Sequence, residues 1–173
     1  MQIKKNRRLV IAAMFLILSV FFVFYIKGQI KTHCISGVPS EVSNLFYNYM
    51  KSFKKGTHVS VDYVYFIDDF KRNAYIDSGD ELLDYRVEKV EIINDQLYSF
   101  TLLMKTKLSM YYSGNAYERA YNFAAYINSK WYYLNGVSNI PPELRNNLDE
   151  NNYVYDDKNI VDASDIVGVI SLD

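Results

Sequence analysis

The feature that most constrains this chain is an uncharged apolar run near its amino end. The run extends from Leu9 to Ile26 and reads LVIAAMFLILSVFFVFYI, with Ser19 and the Tyr25 hydroxyl as its only polar side-chain groups. At about 1.5 Å per helical residue, its length is close to the roughly 30 Å hydrocarbon thickness of a bilayer. The sequence therefore predicts a single transmembrane helix over residues 9–26.

A cleaved signal peptide is the alternative interpretation, because the basic residues KKNRR precede the run. A signal peptide usually has an apolar core of about 7–15 residues, followed by a small-x-small cleavage site. The residues KGQI follow Ile26 and offer no such site. We therefore expect the helix to be retained as a signal anchor in contact with membrane lipid.

The distribution of basic residues predicts the orientation of this anchor. Four Lys and Arg residues lie within residues 1–8, whereas only Lys27 and Lys31 flank the other end. The positive-inside rule then places residues 1–8 in the cytoplasm. Residues 27–37 form a stalk, and the rest of the chain is an extracytoplasmic domain of a single-pass cell-membrane protein.

Charge and cysteine content narrow the possible partners of that domain. Beyond residue 8 the chain carries 15 Lys and Arg against 20 Asp and Glu. This acidic balance argues against a nucleic-acid partner. Cys34 is the only cysteine, so an intramolecular disulfide is excluded. The fold must therefore be stabilised by its hydrophobic core.

Periodicity predicts two helices at the start of the outer domain. Proline is well tolerated in a first helical turn, so a helix is expected to begin at Pro39. Apolar residues recur with helical spacing after it, and the pattern ends near Gly56. The apolar stripe is Val42, Leu45, Phe46, Tyr49, Met50 and Phe53. The segment from Val59 to Phe70 also leans towards helical spacing, although it is rich in β-branched and aromatic residues. We interpret it as a second helix.

The next part of the chain has the composition of β-strands. Four runs dense in Tyr, Val, Ile, Phe and Leu are separated by short polar turns; they are Tyr85–Ile93, Leu97–Tyr112, Tyr117–Ile127 and Lys130–Ile140. Apolar and polar residues do not alternate cleanly along the first run. A bulge near Glu88 and Lys89, or burial of both faces of the strand, would explain the break. Apolar and polar residues alternate along the second run, which predicts one buried face and one partly solvent-exposed face.

Two helices followed by an antiparallel meander predict an α+β fold, with helices packed on a curved antiparallel sheet over residues 38–142. Residues 143–173 carry a marked excess of Asp and Glu and form an acidic tail. The tail also contains apolar residues such as Ile160 and Val161, so a short helix or an added strand within it is possible.

Two segments resemble a known superfamily. PSEVSNLFYNYMKSFKKGT is similar to the opening helix of the nuclear transport factor two-like superfamily, also called the cystatin-like α+β cone, and NSKWYYLNGVSNIP is similar to its closing strand. The resemblance implies a cone-like domain over residues 38–142. Cone domains behind one transmembrane helix also resemble scaffold subunits of conjugation and type IV secretion systems in Gram-positive bacteria.

The sequence offers no recognisable catalytic chemistry. His33 and His58 lack ligand partners at a metal-binding spacing, and neither a nucleophile motif nor a phosphate-binding loop is present. Neighbouring carboxylates such as Asp68 and Asp69 point apart on a helix or strand. Asp77–Glu81 is interpreted as a solvated turn and not as a calcium loop. We therefore predict no catalytic residues, no metal and no cofactor.

Tyrosine is the most informative residue type for function, with 17 copies in the chain. Two doublets lie within the predicted strands, Tyr111–Tyr112 and Tyr132–Tyr133, and adjacent strand residues face opposite sides of a sheet. These four residues predict an aromatic surface that contacts other envelope proteins or a second copy of the chain. The leading hypothesis is a non-enzymatic scaffold, and the resemblance implies a secretion or conjugation assembly. The alternative is a pocket that binds or isomerises a small apolar ligand.

Overall fold

The structure is a computed structural model that describes residues 35–58, 62–77 and 79–166. The predicted cytoplasmic segment and transmembrane helix, and the stalk up to Cys34, lie outside these residues. Within the described part of the chain, no helix has the length and apolarity needed to cross a bilayer. The described residues belong to one compact unit, and that unit has an α+β fold, as predicted.

The first predicted helix is confirmed. Helix α1 spans Ser40–Lys54 and follows Pro39 directly. Gly56 adopts a φ of +65°, a left-handed conformation that ends a helix at little steric cost. The face that α1 buries is the predicted apolar stripe together with one serine: Val42, Ser43, Leu45, Phe46, Tyr49, Met50 and Phe53.

The predicted antiparallel sheet is also confirmed. Its strands are β1 (Leu82–Asn94), β2 (Leu97–Thr106), β3 (Tyr117–Ile127) and β4 (Lys130–Asn135), and they lie in the order β1-β2-β3-β4. The turn between β3 and β4 has positive φ at Asn128 and Ser129, as a two-residue hairpin turn requires. The register of β1 against β2 shifts between Val87 and Lys89, which is the predicted bulge.

The prediction of a helix over Val59–Phe70 was wrong for the described part of that segment. Residues 62–68 form turns and an isolated bridge, and helix α2 occupies Asp69–Asp77 instead. Val64 bridges Tyr133 in parallel, and two backbone hydrogen bonds join Tyr63 and Tyr65 to Tyr133 at 2.7 and 2.9 Å. The β-branched and aromatic residues thus pair with the free edge of β4, and this pairing overrides their weak helical spacing.

Strand β2 is shorter than predicted, because the chain turns into a helix after Thr106. Helix α3 covers Lys107–Ser113 and begins with a capping box. The Ser109 N–H donates to Thr106 Oγ1 at 3.0 Å, and the Thr106 N–H donates to Ser109 Oγ at 2.7 Å. Reciprocal bonds of this kind satisfy amides at a helix start, so they end the strand. Strand β4 also stops early, at Asn135, before a 3₁₀ turn at Val137–Asn139.

Both faces of the sheet are covered. A core between α1 and the sheet contains Phe46, Phe100 and Tyr133, and a second core on the opposite face contains Leu97, Phe123 and Tyr153. Strand β2 is consequently buried along almost its whole length, on both faces. The prediction that one face of this strand is partly wet was wrong.

The second core is closed by the segment predicted as an acidic tail. Short 3₁₀ helices occur along it at Pro142–Leu144, Glu150–Tyr153, Asp157–Asn159 and Ala163–Asp165. Tyr153 packs edge-on against Phe123, with ring centroids 5.2 Å apart. Strand β5 (Ile160–Val161) pairs with the start of β3. The tail therefore packs on the sheet and supplies an added strand, one of the two arrangements predicted for it.

Candidate ligand-binding cavity

A cavity of about 480 Å³ opens beside helix α1, and we call it the α1 cavity. Tyr49 and Phe53 line it from the helix, His58 from the turn that follows, and Asn122 from β3. Its size falls in the range of pockets that hold small molecules, about 300–1,000 Å³. The residues that line it come from distant parts of the chain, and they include Tyr121 and Tyr153 of the second core as well as residues of α1.

Three tyrosines form the polar part of this region. Tyr49 stacks on Tyr133 with ring centroids 3.6 Å apart and an interplanar angle of 17°. The Tyr49 and Tyr75 hydroxyls form a hydrogen bond with each other. The Tyr133 hydroxyl has no hydrogen-bond partner among the described residues, and the residue is 0% exposed.

His58 lies inside an aromatic cage at one side of the cavity. Its ring centroid is 4.1 Å from that of Phe53, 5.2 Å from Tyr75 and 6.2 Å from Tyr49. The residue is only 2% exposed, and neither ring nitrogen has a partner in the described part of the chain. An unsatisfied buried polar group costs about 1–3 kcal/mol. His58 therefore carries an unused donor and an unused acceptor at the cavity wall.

Burial keeps these groups in their neutral forms. Desolvation lowers the pKa of His58 from its usual 6.5, and the charge of Asp80 opposes this effect only in part. Desolvation also raises the pKa of Tyr49, Tyr75 and Tyr133. At neutral pH the wall thus presents phenols and an uncharged imidazole, which can donate and accept hydrogen bonds without carrying charge.

Two carboxylates, Asp80 and Glu118, also line the α1 cavity, and both are partly exposed. Asp80 Oδ1 accepts hydrogen bonds from the N–H groups of Leu108, at 3.0 Å, and Glu81, at 2.9 Å. These bonds fix its position beside the start of α3. The carboxylates accordingly lie where the cavity meets solvent, whereas the phenols and the imidazole lie deeper.

Within residues 35–58, 62–77 and 79–166, no group of three or more His, Cys, Asp or Glu side chains is arranged to hold a metal ion. The chemistry that the cavity offers is hydrogen bonding from neutral groups inside an aromatic wall.

The four tyrosines predicted to form a surface lie in different environments. Tyr132 and Tyr133 lie on β4 and face opposite sides of the sheet, as predicted: Tyr133 belongs to the α1-facing core, and Tyr132 packs against the second core. Tyr133 is fully buried and Tyr132 half-buried, so Tyr133 takes no part in an exposed surface. Tyr111 and Tyr112 lie on helix α3 and not on a strand.

The sequence did not indicate the cavity. Tyr49 was predicted only as part of an apolar stripe, and His58 only as an isolated histidine. Tyr75 falls in α2, a helix that the sequence did not predict. A histidine next to an aromatic stripe is a weak signal, because it does not show which distant residues surround the ring.

The described part of the chain is thus a helix-covered antiparallel α+β domain with a cavity beside helix α1. Comparison of the chain with known protein families, curated proteins and solved structures gives no match.

Proposed function

We propose that the domain binds a small, largely apolar molecule that carries a hydrogen-bonding group, and that it holds this molecule in the α1 cavity. The observation that carries the proposal is the buried His58 imidazole at the cavity wall, neither nitrogen of which has a hydrogen-bond partner in the described part of the chain. Buried polar groups in folded proteins nearly always have a partner. A ligand hydroxyl or carbonyl that reaches His58 would supply that partner.

The walls of the cavity favour an apolar body for this ligand. Phe53, Met104 and Val137 line it together with several tyrosine rings. Apolar and aromatic walls with a few convergent polar groups are typical of small-molecule sites. The proposal is one of binding, because the lining residues supply an apolar wall and hydrogen-bonding groups.

The proposal is tested by the binding of 4-tert-butylphenol, a compact apolar molecule with one hydroxyl. The full chain is reconstituted in lipid nanodiscs and dialysed to equilibrium against the phenol, with empty nanodiscs as the blank. Ala120 lines the cavity, so Ala120→Phe should fill the space and abolish binding. Ala74→Phe, at an exposed position of α2, is the matched control and should bind like the wild type. Equal binding by wild type and Ala120→Phe would contradict the proposal.

The proposal also covers the cellular location of the domain and its fold family. The uncharged run over residues 9–26 supports a single-pass membrane anchor, with the domain outside the cytoplasm. The order of one covering helix and an antiparallel meander supports the resemblance to the nuclear transport factor two-like cone. Folds of one kind serve many functions, so the resemblance does not identify a ligand.

A second candidate function, a scaffold for other envelope proteins, is supported by a separate surface. Ile92 is 58% exposed and Tyr126 is 36% exposed. Tyr126 contacts Trp131, with ring centroids 5.2 Å apart. Tyr126 and Trp131 form an aromatic pair at the end of the sheet where the hairpin turns lie, and Ile92 is exposed at the same end. Aromatic residues of this kind are enriched at protein interfaces.

The scaffold candidate is tested by crosslinking of the full chain in intact cells. Tyr126→Ser should weaken crosslinking to envelope proteins or to a second copy, without loss of stability. Tyr132→Ser should also weaken crosslinking but with some loss of stability, because Tyr132 is half-buried and packs against the second core. Asp95→Ser, at an exposed position of the turn between β1 and β2, is the control and should leave crosslinking unchanged. Unchanged crosslinking in both tyrosine variants would contradict the scaffold function.

A further inference from the structure

We infer that the ligand of the α1 cavity is an organic cation, whose positive charge lies at Asp80 and Glu118 while its apolar part contacts the aromatic wall. This inference rests on the proposed function, because it assigns a chemical class to the ligand of the same cavity. The juxtaposition that carries it is a pair of carboxylates that form no ion pair with the described residues, next to a set of buried rings.

The carboxylates are arranged around one space. Asp80 and Glu118 both line the α1 cavity. The same two residues, together with Thr106, also line an adjoining cavity of about 230 Å³. Asp80 comes from the loop before β1, and Glu118 comes from the start of β3. The fold therefore brings together two negative charges that are 38 residues apart in the sequence.

The cations near this space already have polar partners. Arg119 also lines the α1 cavity, but its guanidinium makes a two-bond ion pair with Glu88, at 2.6 and 2.7 Å. Lys107 pairs with Glu81, and Lys105 hydrogen-bonds to Asn115. Within the described part of the chain, neither Asp80 nor Glu118 forms an ion pair. Two carboxylates in this state favour a ligand that brings a positive charge.

The aromatic wall suits a positive charge for an independent reason. The faces of tyrosine and phenylalanine rings are electron-rich and attract alkylammonium groups. Tyr49, Phe53 and Tyr75 surround the unpartnered His58 beside the carboxylates. Because burial lowers the pKa of His58, the imidazole stays neutral at pH 7 and does not repel a cation.

The experiment compares two probes of the same shape that differ in charge. They are 4-hydroxyphenyl-trimethylammonium and its carbon analogue 4-tert-butylphenol, measured by equilibrium dialysis with the full chain in zwitterionic nanodiscs. We expect the cation to bind about tenfold more tightly than the phenol. Glu118→Gln and Asp80→Asn should each weaken binding of the cation more than binding of the phenol, and so remove most of this preference. Glu143→Gln, at an exposed position away from both cavities, is the control.

The possible outcomes separate this inference from the proposed function. Equal or tighter binding of the neutral phenol would overturn the cation assignment and leave the proposed function standing. A cation preference that survives both carboxylate variants would also overturn the assignment. If neither probe binds, or if Ala120→Phe changes neither affinity, the proposed function fails and the inference fails with it.

Discussion

At the scale of single residues, the main finding is a buried histidine that has no hydrogen-bond partner among the described residues. The His58 ring lies inside a cage of aromatic rings. Such an arrangement costs stability in the unliganded chain, so it is expected where a ligand later supplies the missing hydrogen bond. We therefore expect the His58 imidazole to lower the free energy of unfolding and to strengthen ligand binding.

Replacing the imidazole tests both expectations. His58→Phe keeps a ring against Phe53 and removes the unsatisfied nitrogens, so it should raise the free energy of unfolding by about 1–3 kcal/mol. The same change should weaken the binding of 4-tert-butylphenol. Urea unfolding of the full chain in a mild non-ionic detergent provides the first measurement. A variant less stable than the wild type, with phenol binding intact, would contradict this role for His58.

The same residue gives the wild type a pH dependence. The pKa of His58 is lowered in the folded chain, so the unfolded chain takes up a proton first as the pH falls below 6.5. Stability that is present above pH 6.5 should therefore be lost on acidification towards pH 5. His58→Phe should lack this loss. His33→Phe, at the only other histidine, should retain it.

At the scale of elements, helix α1 holds the layers together. Phe46 is 1% exposed and stacks on Phe100 of β2, with ring centroids 4.7 Å apart. The same helix supplies Tyr49 to the α1 cavity. The packing of α1 thus determines both the main core and the candidate site.

Truncation of Phe46 measures this contribution. Phe46→Ala leaves a hole between α1 and β2 and should lower the free energy of unfolding by about 3–5 kcal/mol. Lys51→Ala, on the exposed face of the same helix, should change it little. Urea unfolding of the full chain compares the two. A Phe46→Ala variant as stable as the wild type would show that α1 does not pack in this way.

The transition from β2 to α3 depends on a local cap. Thr106 and Ser109 bond to each other's backbone at this point. Thr106→Ala should remove one of the two bonds and lower the free energy of unfolding by about 1 kcal/mol. Thr106→Ser retains the acceptor oxygen and should behave much like the wild type. Equal losses in both variants would indicate that the methyl group of Thr106 matters and the cap does not.

At the scale of the whole molecule, the prediction concerns topology. Residues 9–26 are expected to span the membrane once, with the amino end inside, because basic residues precede this uncharged run. Protease added to intact spheroplasts should then digest the chain beyond the stalk. A cytoplasmic protein in the same cells should survive until lysis, as the control. A domain that is protected until lysis would show that the orientation is reversed.

The sequence by itself determined the elements whose signals are local. The apolar stripe of α1 repeats with a helical period, and Gly56 marks its end, so this helix was predictable. The hairpin turns and the bulge near Glu88 were also predictable, because turn residues and a break in alternation act over a few neighbouring positions. The α+β class follows from these elements.

Only the tertiary structure decided the rest, because the deciding contacts join residues far apart in the chain. Val64 lies in a segment with helical spacing, but in the structure it forms a β-bridge with Tyr133. Strand β2 is buried on both faces because Tyr153 and its neighbours return to cover the second one. The α1 cavity exists because His58 and Glu118 reach one space from separate elements. Hydrophobic periodicity indicates which face of a helix or strand is apolar, but it does not indicate which residues pack against that face.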